Sequence, residues 1–93
     1  MALEHVAGKK SKKIVVYALS TCPWCRKAKN LLNELGVEYY FADVDLASDA
    51  EKQKLIDTVR KWNPASSFPT IVFDDQKCII GFKESEIREA VKK

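Results

Sequence analysis

Apolar side chains follow two different periods along the chain, and each change of period marks the boundary of a predicted element. Residues 14–19 form a continuous apolar run rich in β-branched side chains, which predicts a buried strand. Apolar side chains then recur at the helical spacing i, i+3, i+4 and i+7 up to Gly36, a residue type that commonly ends helices. Residues 37–44 contain three consecutive aromatic side chains and predict a second strand.

The second half of the chain predicts a helix, a hairpin and a last helix. Ser48 and Glu51 have the spacing of a capping box, which predicts a helix that begins there and ends at an Asn-Pro pair. Residues 70–73 and 78–80 are apolar runs that flank a short polar turn, and they predict an antiparallel hairpin. Gly81 interrupts this pattern, and a short amphipathic segment after it predicts the last helix.

These elements follow the order β-α-β-α-β-β-α, which predicts a single α/β domain. The first β-α-β unit requires parallel strands joined by a right-handed crossover, whereas the final hairpin is antiparallel. We therefore expect a mixed four-stranded sheet with helices on both faces, formed by residues 14–93. Residues 1–13 are rich in lysine and are expected to form a basic flexible tail.

The net charge of the chain lies entirely in this predicted tail. The 93 residues carry 16 Lys and Arg against 13 Asp and Glu, a formal charge of +3. Four of the lysines and one acidic residue fall within residues 1–13, so the remainder carries 12 charges of each sign. A nucleic-acid-binding domain has its basic face on the fold itself, so nucleic acid is not expected as a partner. Solvation of the tail is the preferred interpretation, and weak docking to an acidic partner is the alternative.

Hydropathy bears on the expected location of the protein. No run approaches the roughly 18 apolar residues of a membrane-spanning segment. The first residues also lack the apolar stretch of a secretory signal. We therefore expect a soluble, cytoplasmic monomer with no membrane partner.

Two cysteines lie where the first strand gives way to the first helix, separated by Pro23 and Trp24. Cys22 is expected at the helix N-cap, where unpaired backbone N–H groups and the helix dipole stabilise a thiolate. Pro23 would occupy the first helical position, where its missing N–H costs nothing. Cys25 would be buried and protonated one turn further on, within reach of a mixed disulfide on Cys22. The pair therefore suits two-step thiol–disulfide exchange.

Metal binding and inert packing fit the cysteines less well than redox chemistry does. A structural zinc site needs four ligands, and only Cys78 and His5 remain to complete one, so no metal site is expected. Inert packing of Cys22 and Cys25 would leave their place at a strand–helix junction unexplained. Three cysteines in a chain without an export signal also argue against a disulfide framework. Cys78 is expected to be a buried small residue, and a regulatory thiol is the alternative.

A proline directly before the third strand is the second chemical signal. An aromatic residue such as Phe68 favours the cis isomer of the bond to Pro69. A cis bond would turn the backbone of Phe68 toward Cys22, where it would pair with a thiol-bearing peptide in the manner of a strand. The alternative is a trans proline that starts an edge strand, and spacing alone leaves both open.

The cysteine motif after a buried strand, residues 68–70 before a hairpin and Gly81 after it resemble the glutaredoxins, which have the thioredoxin-like fold. The resemblance implies a thiol–disulfide oxidoreductase that reduces protein disulfides and mixed disulfides without a tightly bound cofactor. It implies Cys22 as nucleophile, Cys25 as resolving thiol and Pro69 as a cis-proline. The Pro-Trp pair between the cysteines is similar to that of methanogen glutaredoxin-like proteins called methanoredoxins.

Departures from the family pattern bear on the electron donor. Glutathione-using members usually have Lys or Arg three residues before the first cysteine, where this chain has Leu19. They usually have acidic residues after the hairpin, where Lys83 reverses the charge. Glutathione is therefore disfavoured, and a small anionic thiol such as coenzyme M is favoured, its sulfonate paired with Lys83 or Lys27. The residues expected to contact client or thiol are Pro23, Trp24, Lys27, Phe68, Pro69, Gly81, Phe82 and Lys83.

Two further alternatives remain for the function. Gly81 and Phe82 resemble the Gly-Phe segment of redoxins that serve ribonucleotide reductase, which would imply direct reduction by a thioredoxin-reductase-like flavoprotein. Some glutaredoxins instead share a [2Fe–2S] cluster across a dimer through the first cysteine of each subunit and two external thiols. Pro23 and the bulky Trp24 disfavour this cluster.

Overall fold

A computed structural model describes residues 3–10, 12–65 and 67–92, and a five-stranded sheet with the order β1-β3-β2-β4-β5 runs through it. The strands are β1 (Glu4–Val6), β2 (Ile14–Ala18), β3 (Tyr39–Asp43), β4 (Thr70–Phe73) and β5 (Lys77–Ile80). The helices are α1 (Pro23–Leu35), α2 (Asp49–Trp62) and α3 (Glu84–Lys92), and a 3-10 turn (Val44–Leu46) links β3 to α2.

The strand pairings confirm the predicted mixed sheet. Strand β2 lies parallel to β3 and antiparallel to β4, and β4 and β5 form the predicted antiparallel hairpin. Asp74 and Asp75 both have positive φ in its turn, a conformation that Asp tolerates better than most residues. The first β-α-β unit therefore holds the ends of β2 and β3 side by side, with Ala18 paired to Asp43.

Helices cover both faces of the sheet, which confirms the predicted fold class. Alternate residues of β2 point to opposite faces, so Val16 packs in the core with α1 and α3 while Val15 packs in the core with α2. Leu32 and Ile87 are fully buried in the first core, and Val59 is fully buried in the second. Within the described residues, no helix is long and apolar enough to cross a membrane.

Helix ends follow the capping signals of the sequence. The Ser48 hydroxyl accepts the N–H of Glu51 at 3.4 Å and begins α2 as predicted. Gly36 has φ of +69° and ends α1 in the left-handed conformation, donating its N–H to the carbonyl of Asn33 at 3.1 Å. These two ends fix the lengths of the helices that flank the sheet.

The sheet has one strand more than the four predicted. Strand β1 comes from the segment assigned to the flexible tail, and it pairs antiparallel with β3. Lys9 extends the contact, since its N–H donates to the carbonyl of Gly36 at 2.7 Å, and His5 lies 2.6 Å from the Glu38 carboxylate. The three residues of β1 are mostly exposed and too few to show a period of apolar side chains, so the sequence did not predict this strand. The segment takes its strand conformation by pairing with the otherwise unpaired edge of β3.

Candidate active site

Cys22 caps the N-terminus of α1, as predicted. Its backbone is extended, with φ of −86° and ψ of 116°, and its Sγ accepts the backbone N–H of Cys25 at 3.2 Å. Pro23 follows at the start of the helix. An N–H donor aimed at sulfur, together with the helix dipole, favours negative charge on that sulfur. The geometry therefore places the Cys22 sulfur at the helix N-terminus, where it accepts a backbone hydrogen bond.

Cys25 is buried directly behind Cys22, with 1% of its surface exposed. Burial and the neighbouring Cys22 side chain raise the pKa of Cys25 from 9.0 to about 12, and a backbone hydrogen bond at Leu19 and the charge of Lys29 oppose this effect only in part. Cys25 is therefore a neutral thiol at physiological pH. No disulfide joins Cys22 and Cys25 in this structure.

An aromatic platform, formed by Trp24 and Phe82, lies beside the cysteine pair. The two rings stack with centroids 6.2 Å apart and planes 27° apart, although 55% of Trp24 remains exposed. The ammonium of Lys27 lies 4.5 Å from the centre of the Trp24 ring, a cation–π contact. The fold thus brings together three side chains that the sequence assigned separately to substrate contact.

The peptide bond between Phe68 and Pro69 is cis, which decides between the two predicted isomers. The carbonyl of Pro69 accepts the N–H of Gly81 at 2.8 Å, so the loops before β4 and after β5 are tied together. Thr70 pairs with Tyr17 near the end of β2. This register places residues 68–69 at the same end of the sheet as the beginning of α1.

Lys83 lies at the start of α3, where its carbonyl accepts the N–H of Ile87 at 2.9 Å. Its exposed ammonium is 3.9 Å from the carboxylate of Glu86. The structure therefore places Lys27 on the aromatic platform, whereas the charge of Lys83 faces an acidic residue in the first turn of α3.

Cys78 lies apart from the cysteine pair, in β5. Its half-buried thiol packs against the core under α2 and donates to the carbonyl of Trp62 at 3.4 Å. Throughout residues 3–10, 12–65 and 67–92, no three His, Cys, Asp or Glu side chains are grouped as metal ligands would be.

Sequence reasoning missed a carboxylate that holds the loop before Cys22. Asp45 accepts the backbone N–H of Ser20 at 2.9 Å and its hydroxyl at 2.5 Å. These bonds lower the pKa of the Asp45 carboxyl below its ordinary value of 3.8, so it is ionised at neutral pH. In the same loop the N–H of Cys22 donates to the carbonyl of Leu19 at 3.1 Å. The sequence did contain a signal for this contact. Asp45 follows β3, and because β2 and β3 are parallel neighbours their ends lie side by side, so an acidic residue there can reach the loop after β2.

Asp45→Ala is expected to slow disulfide reduction roughly 3- to 10-fold, since two hydrogen bonds that hold the loop before Cys22 are lost. The check is kcat/KM for a disulfide substrate, measured beside the thermal unfolding midpoint. Asp57→Ala is the matched control, because Asp57 bonds only Gln53 within α2 among the described residues. An unchanged kcat/KM for Asp45→Ala would show that Ser20 does not need this carboxylate.

Comparison with known proteins places the chain among redox proteins. The family model described as glutaredoxin matches residues 14–79. A glutaredoxin-like 8.6 kDa protein from the rubredoxin operon of Clostridium pasteurianum is 32% identical over 80 residues, which cover 86% of this chain and 99% of that protein.

Solved structures give the same result. Methanoredoxin from Methanosarcina acetivorans is 50% identical with a TM-score of 0.88, over 90% of this chain and 88% of that one. A glutaredoxin from Methanosarcina mazei Go1 is 44% identical with a TM-score of 0.90, over 98% and 88% of the two chains. A glutaredoxin from Archaeoglobus fulgidus is 28% identical with a TM-score of 0.82, over 88% of each chain.

Proposed function

The chain belongs to the glutaredoxin family, as a glutaredoxin-like disulfide oxidoreductase, and we propose that Cys22 is its nucleophile and Cys25 its resolving thiol. The contrast between the two sulfurs carries this assignment. Cys22 accepts an N–H at a helix N-terminus, whereas Cys25 is buried and holds its proton up to high pH. A sulfur that accepts a hydrogen bond at a helix N-terminus suits the attacking role, and a buried thiol that keeps its proton suits the resolving role.

In the first step the Cys22 thiolate attacks one sulfur of a client disulfide. A bond forms between Cys22 and that sulfur, the client disulfide breaks, and the second client sulfur leaves as a thiolate. In the second step Cys25 gives up its proton and attacks the Cys22 sulfur. The remaining client sulfur leaves and takes a proton, which yields a client dithiol and a Cys22–Cys25 disulfide. Two donor thiols then reduce this disulfide and become a disulfide themselves.

The surroundings of Cys22 supply contacts for the client. Trp24 exposes 55% of its surface next to the nucleophile and is backed by Phe82. The backbone of Phe68, directly before the cis bond, is assigned to strand-like pairing with the client chain. The hydrogen bond from Gly81 to Pro69 holds the loop that carries Phe82 next to the backbone assigned to pair with the client.

For the electron donor we propose a small anionic thiol, with coenzyme M favoured over glutathione. Leu19 offers no charge to a glutathione carboxylate, and Lys83 stands where glutathione-using members usually have an acidic residue for the ammonium group of glutathione. Coenzyme M carries a sulfonate and no ammonium, and Lys27 above Trp24 is a cation placed to receive that sulfonate. Coenzyme M is a methanogen thiol, and two of the similar structures come from Methanosarcina species.

Donor preference is tested by driving the reduction of one client disulfide with coenzyme M, with glutathione, or with NADPH and a thioredoxin reductase. We expect coenzyme M to give a rate about tenfold above glutathione, the effect of one well-placed charge pair. Lys27→Ala should lower the coenzyme M rate and leave the rate with uncharged 2-mercaptoethanol unchanged. Lys54→Ala, on the exposed side of α2, is the matched control.

Glutathione as the fastest donor would contradict the interpretation of Leu19 and Lys83. The reductase as the fastest donor would instead favour the redoxin alternative, in which a flavoprotein reduces the Cys22–Cys25 disulfide directly.

A further inference from the structure

A groove of about 400 Å³ opens between the end of β2, the 3-10 turn and α2. Its volume falls within the range of ligand-binding clefts. Much of its wall is apolar, formed by Leu19, Val44, Ile56 and Phe68. A groove of this composition gains free energy when it covers an apolar side chain.

This groove is continuous with the residues that flank the nucleophile. The carbonyl of Leu19 accepts the N–H of Cys22 at 3.1 Å, so one wall begins in the loop that carries the reactive thiol. Phe68 forms another part and directly precedes the cis-proline. A polypeptide joined to Cys22 through its own cysteine therefore places neighbouring side chains at the mouth of this groove.

The groove is lined by two cationic side chains and one carboxylate. Lys52 and Arg60 both line it from α2, and neither has an ion-pair partner in the part of the chain that the structure describes. Asp45 also lines it; its ionised carboxylate accepts two hydrogen bonds from Ser20 and interacts electrostatically with Lys52. Arg60 is therefore the cation that the groove offers beside its apolar wall, and Arg pairs with carboxylates in a bidentate geometry.

We propose that this groove docks the client polypeptide beside its reactive cysteine and selects a segment with one apolar and one acidic side chain. The proposal rests on Cys22 being the nucleophile. A small hydrophilic thiol would leave the four apolar wall residues uncovered, and the cation assigned to it, Lys27, lies on α1 beside Trp24. A client strand paired with the backbone of Phe68 presents alternate side chains to one side, which suits two neighbouring contacts.

Three disulfide-bonded peptides that differ only beside one cysteine test this preference. One carries Leu and Glu at two flanking positions, the second Ser and Glu, and the third Leu and Lys. We expect kcat/KM for the Leu–Glu peptide to exceed that of each other peptide about tenfold, mainly through KM, because one contact is lost in each. Equal values for the three peptides would overturn the proposal.

Substitutions on α2 locate the preference. Arg60→Glu is expected to invert the order of the Leu–Glu and Leu–Lys peptides, a result that misfolding cannot produce. Ile56→Ser should remove the advantage of Leu over Ser. Lys61→Ala, an exposed neighbour that does not line the groove, should behave as the unchanged protein. An unaltered preference in Arg60→Glu would overturn the proposal.

Failure of the groove and failure of the catalytic assignment give different results. If peptide reduction depends on Cys22 but shows no preference, the groove proposal alone is wrong. If Cys22→Ser still reduces the peptides, the proposed nucleophile is wrong, and the groove does not lie beside the reactive thiol.

Discussion

Cys22→Ser is expected to abolish disulfide reduction, with a loss of at least about a thousandfold in kcat/KM, the scale of removing a catalytic nucleophile. A serine hydroxyl at this position does not ionise near neutral pH and cannot form the mixed disulfide. Serine is nonetheless a favoured N-cap residue, and its oxygen can accept the Cys25 N–H that the sulfur accepts now. The variant should therefore remain folded. Disulfide reduction and thermal unfolding, measured on one preparation, separate the two effects.

Cys78→Ser is the matched control for this experiment, because it also removes one thiol but lies in β5, against the other core. It should retain full disulfide reductase activity. Substantial activity in Cys22→Ser, or loss of activity in Cys78→Ser, would contradict the assignment of the nucleophile.

Cys25→Ser is expected to stop the reaction after its first step. Cys22 keeps its place at the helix N-terminus and still attacks the client, but no neighbouring thiol releases it. Reduction of a protein disulfide should fall about a hundredfold, and a covalent client–protein adduct through Cys22 should accumulate. Reduction of a small mixed disulfide should persist, since excess donor thiol can attack Cys22 from solvent. Mass spectrometry under non-reducing conditions measures the adduct.

The role proposed for Cys25 requires a protonated thiol at neutral pH, and this requirement can be tested separately. Because burial and the Cys22 side chain together raise the pKa of Cys25 to about 12, the thiol stays neutral at pH 7 to 9. In Cys22→Ser/Cys78→Ser the effect of the Cys22 thiol is lost, but burial, the largest cause, still raises the pKa of Cys25 above its ordinary value of 9.0. Alkylation by iodoacetamide should thus be slow at pH 8 and accelerate above pH 9. Rapid alkylation at pH 8 would show that Cys25 is a thiolate and would remove the basis for a protonated resolving thiol.

Local signals predicted much of the fold and the centre of the site. Three helix ends were predicted: the N-caps at Cys22 and Ser48, and the end of α1 at Gly36. Each depends only on residues within one helical turn of it. The parallel β-α-β unit and the hairpin followed from the order of the elements and from the short turn between β4 and β5. Such features are set by backbone geometry over a few residues, so a single sequence suffices to predict them.

Features between distant segments were decided by the tertiary structure. Strand β1 has no period of its own and forms only on the open edge of β3. Spacing left the isomer at Pro69 undecided, and the folded chain holds the cis form. Asp45 reaches Ser20 across 25 positions of the chain, and the rings of Trp24 and Phe82 meet from opposite ends of the domain sequence. Such contacts depend on how the layers pack.

The sequence by itself therefore predicted which sulfur caps the helix, and with it the sulfur proposed to react, because the N-terminus of a helix acts on the residue that caps it. Only the tertiary structure decided what surrounds that sulfur: the buried position that keeps Cys25 protonated, the platform under Lys27 and the groove along α2 that Arg60 lines. The physical reason is that desolvation, stacking and charge pairing act through space. They are defined only when β2, α1, α2 and the loop after β5 lie side by side.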